Sequence, residues 1–225
     1  MSQRTKIIDS LKEKSAIKQD VYDTTQEVFL KLKEILQEYA VEANELIEGV
    51  DKRVKMIYQD RGKLEVQLQV AGDILLFSMH SNIFKFDRSN PIWENPYIKE
   101  NPLNGYCGVI HIYNFLADSF KYNRVEDHGY LIGRIFINRQ MQYIVEGKRQ
   151  LSARHADFGS QAITAESLIE IIENTILYAI NEFELLVPPY DLIKMITLGQ
   201  VNSKIESTKL QTGKRLGYQF RSDDI

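Results

Sequence analysis

Helical periodicity occupies the two ends of this chain, period-two alternation occupies its middle, and strands and helices do not alternate. Those observations predict an α+β fold: an antiparallel sheet of about six to seven strands flanked by a long N-terminal helix and by C-terminal helices. Strand candidates joined by short turns, with no crossover helix between them, run antiparallel. The 225 residues are read as one α+β domain, with a helical segment over 1–50, the sheet over 51–150, helices over 160–210 and a loose tail over 211–225.

The N-terminal segment carries an apolar stripe through Val21, Val28, Leu32, Ile35, Tyr39 and Leu46, with lysines and glutamates on the opposite face. Ser10 with Glu13, and Thr24 with Glu27, fit the capping box, in which hydroxyl and carboxylate each satisfy a free amide at a helix start. With Thr25 and Glu42 included, the stripe becomes an interrupted heptad seam, so the helix could pair with a second copy as a homodimer. A second strip at Phe29, Leu36 and Ala43 widens the face and favours a helix lying across its own sheet.

After Gly49 the period changes to two. In "KLEVQLQV" Leu64, Val66, Leu68 and Val70 share one face and Lys63, Glu65, Gln67 and Gln69 the other, the pattern of an antiparallel strand solvated on one side. Turn residues in "QDRGK" and "AGD" link it to "VKMIY" and "ILLFSMH" as a three-stranded meander. "NIFKF" extends that meander or adds a strand. "YCGVIHIYNF", "GYLIGRIFINR" and "QMQYIVEG" supply the rest, the last two meeting at "NRQ" in a hairpin. "ITAESLIEIIENTILYAINEFELLV" reads as a helix capped by Thr164 and stopped by Pro188 and Pro189, and "YDLIKMITLGQVNSKIESTKL" as a further one. This order of elements is similar to that of sensory folds of the PAS, GAF and profilin type, where an antiparallel sheet carries helices and a ligand pocket on one face. The similarity is one of element order and rests on no residue motif.

Between the two groups of strands lies "SNPIWENPYIKENPLNG", which holds three of the five prolines, each behind an asparagine, and the single tryptophan. Proline fixes its own φ and pushes the residue before it towards extended conformations, so Asn90, Asn95 and Asn101 are denied helix. The span from Asp87 to Gly105 is thus expected to be a stiff loop without regular structure, and loops of that length tend to carry function. Ile92, Trp93, Tyr97, Ile98 and Leu103 argue that it is ordered. It either caps an open part of the sheet, with Trp93 as a peg, or presents Trp93 and Tyr97 to a ligand or partner.

The four histidines, His80, His111, His128 and His155, lie at least 17 residues apart, and no HExxH exists, so spacing gives no metal site. His111 shares a strand face with Val109 and Tyr113. His155 sits near Lys148, Arg149 and Arg154, where a helix N-terminus could hold an anion. Cys107 and His111 point to the same side of a strand but about 13 Å apart, too far for proton transfer. The chain contains no GxSxG, GxxxxGK[ST] or GxGxxG, and no cofactor is implied. Arg134, Phe136, Arg139, Tyr143, Lys148 and Arg149 interleave basic and aromatic residues but form no RRM signature, and a net charge of −3 makes nucleic acid an unfavoured partner. A lone cysteine and an N-terminus without an apolar run point to the cytoplasm, and the most apolar helix carries too many polar groups to span a membrane.

Two functions follow. The leading expectation is a cytoplasmic, non-enzymatic binding or sensory module that takes a small ligand or protein partner near the Asn-Pro segment, using Trp93, Tyr97, His111, Tyr113, Arg149, Arg154 and His155. The alternative is a hydrolase or transferase acting on an anionic substrate through His111 or His155 with Arg149 and Arg154. An enzyme should place one of those histidines in a cleft within hydrogen-bond reach of a carboxylate or arginine; a binding module should border Trp93 and Tyr97 with an apolar pocket.

Overall fold

The computed structural model describes residues 2–51, 53–147, 151, 157–182, 187, 190–195 and 198. The chain begins with α1 (Gln3–Ser10), a π-helical turn (Leu11–Ser15) and α2 (Ala16–Leu46). The strands are β1 (Met56–Asp60), β2 (Glu65–Val70), β3 (Asp73–Met79), β4 (Phe84–Lys85), β5 (Tyr106–Leu116), β6 (Tyr130–Ile137) and β7 (Tyr143–Gly147). Short helices α3 (Pro96–Glu100) and α4 (Ala117–Lys121) flank β5, and α5 (Ala165–Asn181) and α6 (Tyr190–Ile193) follow the sheet. The fold is α+β.

Helical backbone runs from Gln3 to Leu46 because neither glycine nor proline interrupts it before Gly49. Its start is Ser2, whose hydroxyl accepts from the amide of Thr5. The two capping boxes read from the sequence therefore cap nothing. Ser10 keeps helical angles with no side-chain cap, and the Thr24 hydroxyl donates instead to the Asp20 carbonyl at 2.9 Å. A capping residue acts only where the backbone leaves the helix, and here it does not.

Both apolar strips of α2 are buried along most of the helix, Val21, Val28, Leu32 and Ile35 along with Phe29 and Leu36, whereas Tyr39 and Ala43 are half-buried and Leu46, at its end, is exposed. The part of the seam offered for a homodimer that runs from Val21 to Ile35 is thus consumed inside the chain. Thr25, an apparent interruption, has a steric reason: a β-carbon on Gly108 of β5 would overlap the Thr25 side chain, so helix and strand cross in near contact there. The Thr25 hydroxyl is satisfied by the Val21 carbonyl at 2.6 Å. Farther along, buried Lys33 donates to Asp60 Oδ1 (2.8 Å) and the Gly62 carbonyl (2.6 Å), fastening α2 to the β1–β2 turn.

The sheet is antiparallel throughout, in the order β1-β2-β3-β5-β6-β7, with β4 pairing the start of β5 beyond the end of β3. The expected meander is β1–β3 and the expected hairpin is β6–β7. Its first face carries Leu68, Phe77, Ile110, Ile112, Ile135 and Tyr143 under α2 and α5. Thr164 caps α5, with Ser167 returning a bond to its amide; Pro188 and Pro189, read as the stop of this helix, lie outside the described residues, as does residue 199 onward, including the expected tail. Gln67 departs from expectation: it is buried, held by Arg61 and Gln59, because the second face of the sheet is partly covered too.

Half of that cover is the Asn-Pro segment, which is regular rather than loop-like. Asn90, Asn95 and Asn101 are extended, as proline requires of its predecessor, yet each side chain accepts from the amide two residues on, and each proline then occupies the first helical position. The three dipeptides start three successive helical turns: 3₁₀ at Pro91–Glu94, α3 at Pro96–Glu100, and 3₁₀ at Pro102–Gly105. Asn-Pro is here a helix-initiating unit of cap plus pre-set φ, and only its inhibition of the preceding asparagine was legible beforehand.

Candidate functional site

Alternation along β5 puts Cys107, Val109, His111, Tyr113 and Phe115 on the second face. The Asn-Pro segment covers one end of it, where Ile98, Trp93, Tyr97 and Phe158 pack with Cys107, Val109 and Phe136. At the other end α4 folds back, with Phe120 edge-on to Phe115 (5.3 Å) and Arg61 over the Phe120 ring (5.2 Å). Between the two covers the register aligns Glu65, Ser78, His111, Arg134 and Glu146 as one row across five strands.

A cavity of about 480 Å³ opens beside this row. Its floor is the neighbouring row of Val109, Phe136 and Ile144 together with Cys107. One wall is Phe84, Lys85 and Phe86, continued by Asn90, and the far rim is His111, Arg134 and Glu146. Phe86 and Phe136 meet at 5.0 Å with their planes 53° apart. Arg134 is ion-paired with Glu146 and lies over the Phe136 ring at 5.3 Å. Lys85 is 4.9 Å from the Trp93 ring centre and 5.6 Å from that of Tyr106, and it forms no ion pair with a carboxylate among the described residues.

His111 is half-buried, 6.4 Å ring to ring from His80 and 5.8 Å from Tyr113. Burial first, then Arg134 and His80, hold its pKa below the usual imidazole value, so the ring is neutral near pH 7. His111 makes no hydrogen bond to a carboxylate or arginine among the described residues, which leaves it without the orienting partner a general base needs. The Cys107 thiol is wholly buried, and desolvation pushes its pKa up, so it is an inert floor residue and no nucleophile. Groups of three or more metal-ligating side chains are absent among the described residues.

The residues singled out from the sequence separate into three places. His111 lines the cavity, and Tyr113 lies one position farther along the same face, outside the lining. Trp93 and Tyr97 belong to the cover. Trp93 donates to the Asp87 carbonyl (2.7 Å) and stacks so close to Gly105 that an added β-carbon would come within 2.8 Å of it. Tyr97 donates to Gln140 and accepts from Asn138 at 2.7 Å. Arg149, Arg154 and His155 lie outside the described residues. Phe84, Lys85, Phe86 and Glu146 were missed. Alternation in "NIFKF" hints at paired phenylalanines, but their place over β5 depends on a strand pairing that no local pattern reports. The interleaved basic and aromatic run offers no stacking platform: Phe136 and Tyr143 are both buried, on opposite faces of the sheet.

Comparison of the chain with models of known protein families, with curated proteins and with solved structures finds no match to any of the three. Among the described residues no helix is long and apolar enough to cross a membrane.

Proposed function

We propose that the chain is a non-enzymatic module that binds a small molecule in the cavity between the Asn-Pro cover and the row holding His111 and Arg134. The observation that carries this reading is the character of the lining. Phenylalanines and aliphatic side chains make the floor and wall, a few polar groups gather at the rim, and the volume falls within the range typical of small-molecule sites, roughly 300–1,000 Å³. The enzyme alternative has less support, since its one described histidine, His111, has no hydrogen bond to a carboxylate or arginine among the described residues and the buried thiol is held protonated. Self-association through α2 has little support because its seam from Val21 to Ile35 is occupied. A cytoplasmic setting is compatible with the single free, buried cysteine.

The test is thermal-shift screening of a chemically diverse compound panel on the parent and on Ile144→Phe, which fills the floor of the cavity. Compounds that raise the parent's Tm and leave the filled variant unmoved support the reading. A panel without effect on the parent, or one that stabilises both proteins alike, counts against it.

A further inference from the structure

We infer that the ligand of this cavity is an uncharged, flat, bicyclic aromatic molecule, and that the ion pair of Arg134 with Glu146 at the rim selects it against charged molecules of the same shape. The inference rests on the reading of the cavity as a ligand site and adds to it the chemistry of the occupant.

Among the described residues the charges at this cavity cancel. Arg134 is half-buried, with its guanidinium over the Phe136 ring of the floor at 5.3 Å, and Glu146 pairs with it. His111, also at the rim, is kept neutral near pH 7, first by burial and then by Arg134 and His80. Lys85 belongs to the wall, but its ammonium group lies 4.9 Å from the Trp93 ring centre and 5.6 Å from that of Tyr106, and neither ring lines the cavity. A carboxylate entering here can take Arg134 only by displacing Glu146, which is then left unpaired beside it. An ammonium group can take Glu146 only by stripping Arg134 of its partner. Either exchange replaces one ion pair with another while the ligand's own charge leaves water, a net cost that an uncharged ligand avoids.

The apolar lining sets the body of the molecule. Cys107 and His111 both border the space and stand four positions apart on β5, so the floor is about 13 Å long. Val109, Phe136 and Ile144 lie side by side on β5, β6 and β7, which makes it about 10 Å wide. A sheet face of that extent admits two fused rings lying flat. Phe84, Phe86 and Phe136 surround it with aromatic side chains, and Phe86 and Phe136, at 5.0 Å with planes 53° apart, form a corner suited to an edge-on or offset ring. An aliphatic chain would gain burial there but none of the ring-to-ring preference. The Arg134 guanidinium has more N–H groups than its pair with Glu146 consumes, so an uncharged acceptor at the edge of the ligand is accommodated without breaking the pair.

Titration calorimetry near pH 7 and at low salt compares three ligands of one shape: uncharged 2-naphthamide, anionic 2-naphthoate and cationic 2-naphthylmethylamine. They are titrated into the full chain and into Glu146→Gln, Arg134→Gln and Ile144→Phe, each variant first matched to the parent by far-UV circular dichroism. The parent should bind the amide at least about tenfold more tightly than either ion. Glu146→Gln leaves Arg134 without its carboxylate and should tighten naphthoate binding at least about tenfold with no gain for the amine; Arg134→Gln should do the reverse. Should one of these variants not fold, the other carries the same comparison. Ile144→Phe should abolish binding of the amide. An ion bound by the parent as tightly as the amide, and lost in Ile144→Phe, would overturn the uncharged ligand and leave the cavity reading intact. Ion affinities that neither charge removal alters would mean that the pair does not select, and would overturn the inference too. Failure of all three ligands to bind the parent would also overturn it, and the cavity reading falls with it only if the wider compound panel leaves the parent's Tm unmoved.

Discussion

Asn138 is the point at which the cover is tied to the sheet, and its replacement by alanine should release that cover. The side chain is fully buried at the β6–β7 turn. Its Nδ2 donates to Tyr97 Oη (2.7 Å) and to the Asn104 carbonyl (3.3 Å), while its Oδ1 accepts from the amides of Gln140 (2.9 Å) and Gln142 (3.1 Å). Two bonds hold the cover and two hold the turn. Each satisfied bond contributes about 1 kcal/mol net, and a buried carbonyl stripped of its donor costs about 1–3 kcal/mol, so Asn138→Ala should lose roughly 3 kcal/mol. Half of what is lost lies in the cover, which gives the effect a local signature. Gly105, next to Asn104, backs the Trp93 ring, so the emission of this single tryptophan should shift to the red in the native state. Urea unfolding followed by far-UV circular dichroism and by Trp93 emission measures both effects. A double-mutant cycle with Tyr97→Phe should give a coupling of at least about 0.5 kcal/mol. A loss under about 1 kcal/mol with unchanged emission and no coupling would refute the latch.

Gly108→Ala should destabilise by about 1–3 kcal/mol in urea melts, because its β-carbon would overlap Thr25, and Thr25→Gly should recover part of the loss. Asn114 is buried on the core face of β5 with neither side-chain atom hydrogen-bonded among the described residues, so Asn114→Leu should raise the urea midpoint by the equivalent of about 1 kcal/mol or more. His111 has its pKa lowered by burial, Arg134 and His80, so the unfolded chain takes up that proton at a higher pH than the native one. Its share of stability is therefore full above the ordinary imidazole pKa of about 6.5 and is lost as pH falls from there to the native value; His111→Gln should flatten that part of a stability–pH profile.

Local periodicity made most of the architecture legible. The alternation of Leu64, Val66, Leu68 and Val70 reports one strand whatever its neighbours, and the stripe on α2 reports a buried helix face. The partner of that face was less so, because Val21, Thr25 and Val28 fit a heptad seam as well as a sheet. What decides between them is Gly108, more than eighty residues away. The segment around Trp93 was legible in its stiffness and not in its form: the effect of proline on the residue before it is local, but its gain as a first helical residue shows once the asparagine caps are drawn. The cavity was the least accessible. His111 and Phe136 were visible on their strands, yet Phe84, Lys85 and Glu146 join them through pairings of β4 with β5 and β6 with β7, and register is a property of the assembled sheet.

The central claim is that the three Asn-Pro turns form a fixed cover whose packing shapes the cavity, and native-state amide hydrogen exchange tests it most directly. The amides of Ile98, bonded to the Asn95 carbonyl at 3.1 Å, and Asn104, bonded to the Asn101 carbonyl at 2.9 Å, are the reporters, with Ile110 of β5 as the internal standard. A fixed cover predicts strong protection at both, falling well below that of Ile110 in Asn138→Ala. Exchange at Ile98 and Asn104 near the rate of an unstructured peptide, in a protein where Ile110 remains protected, would contradict it.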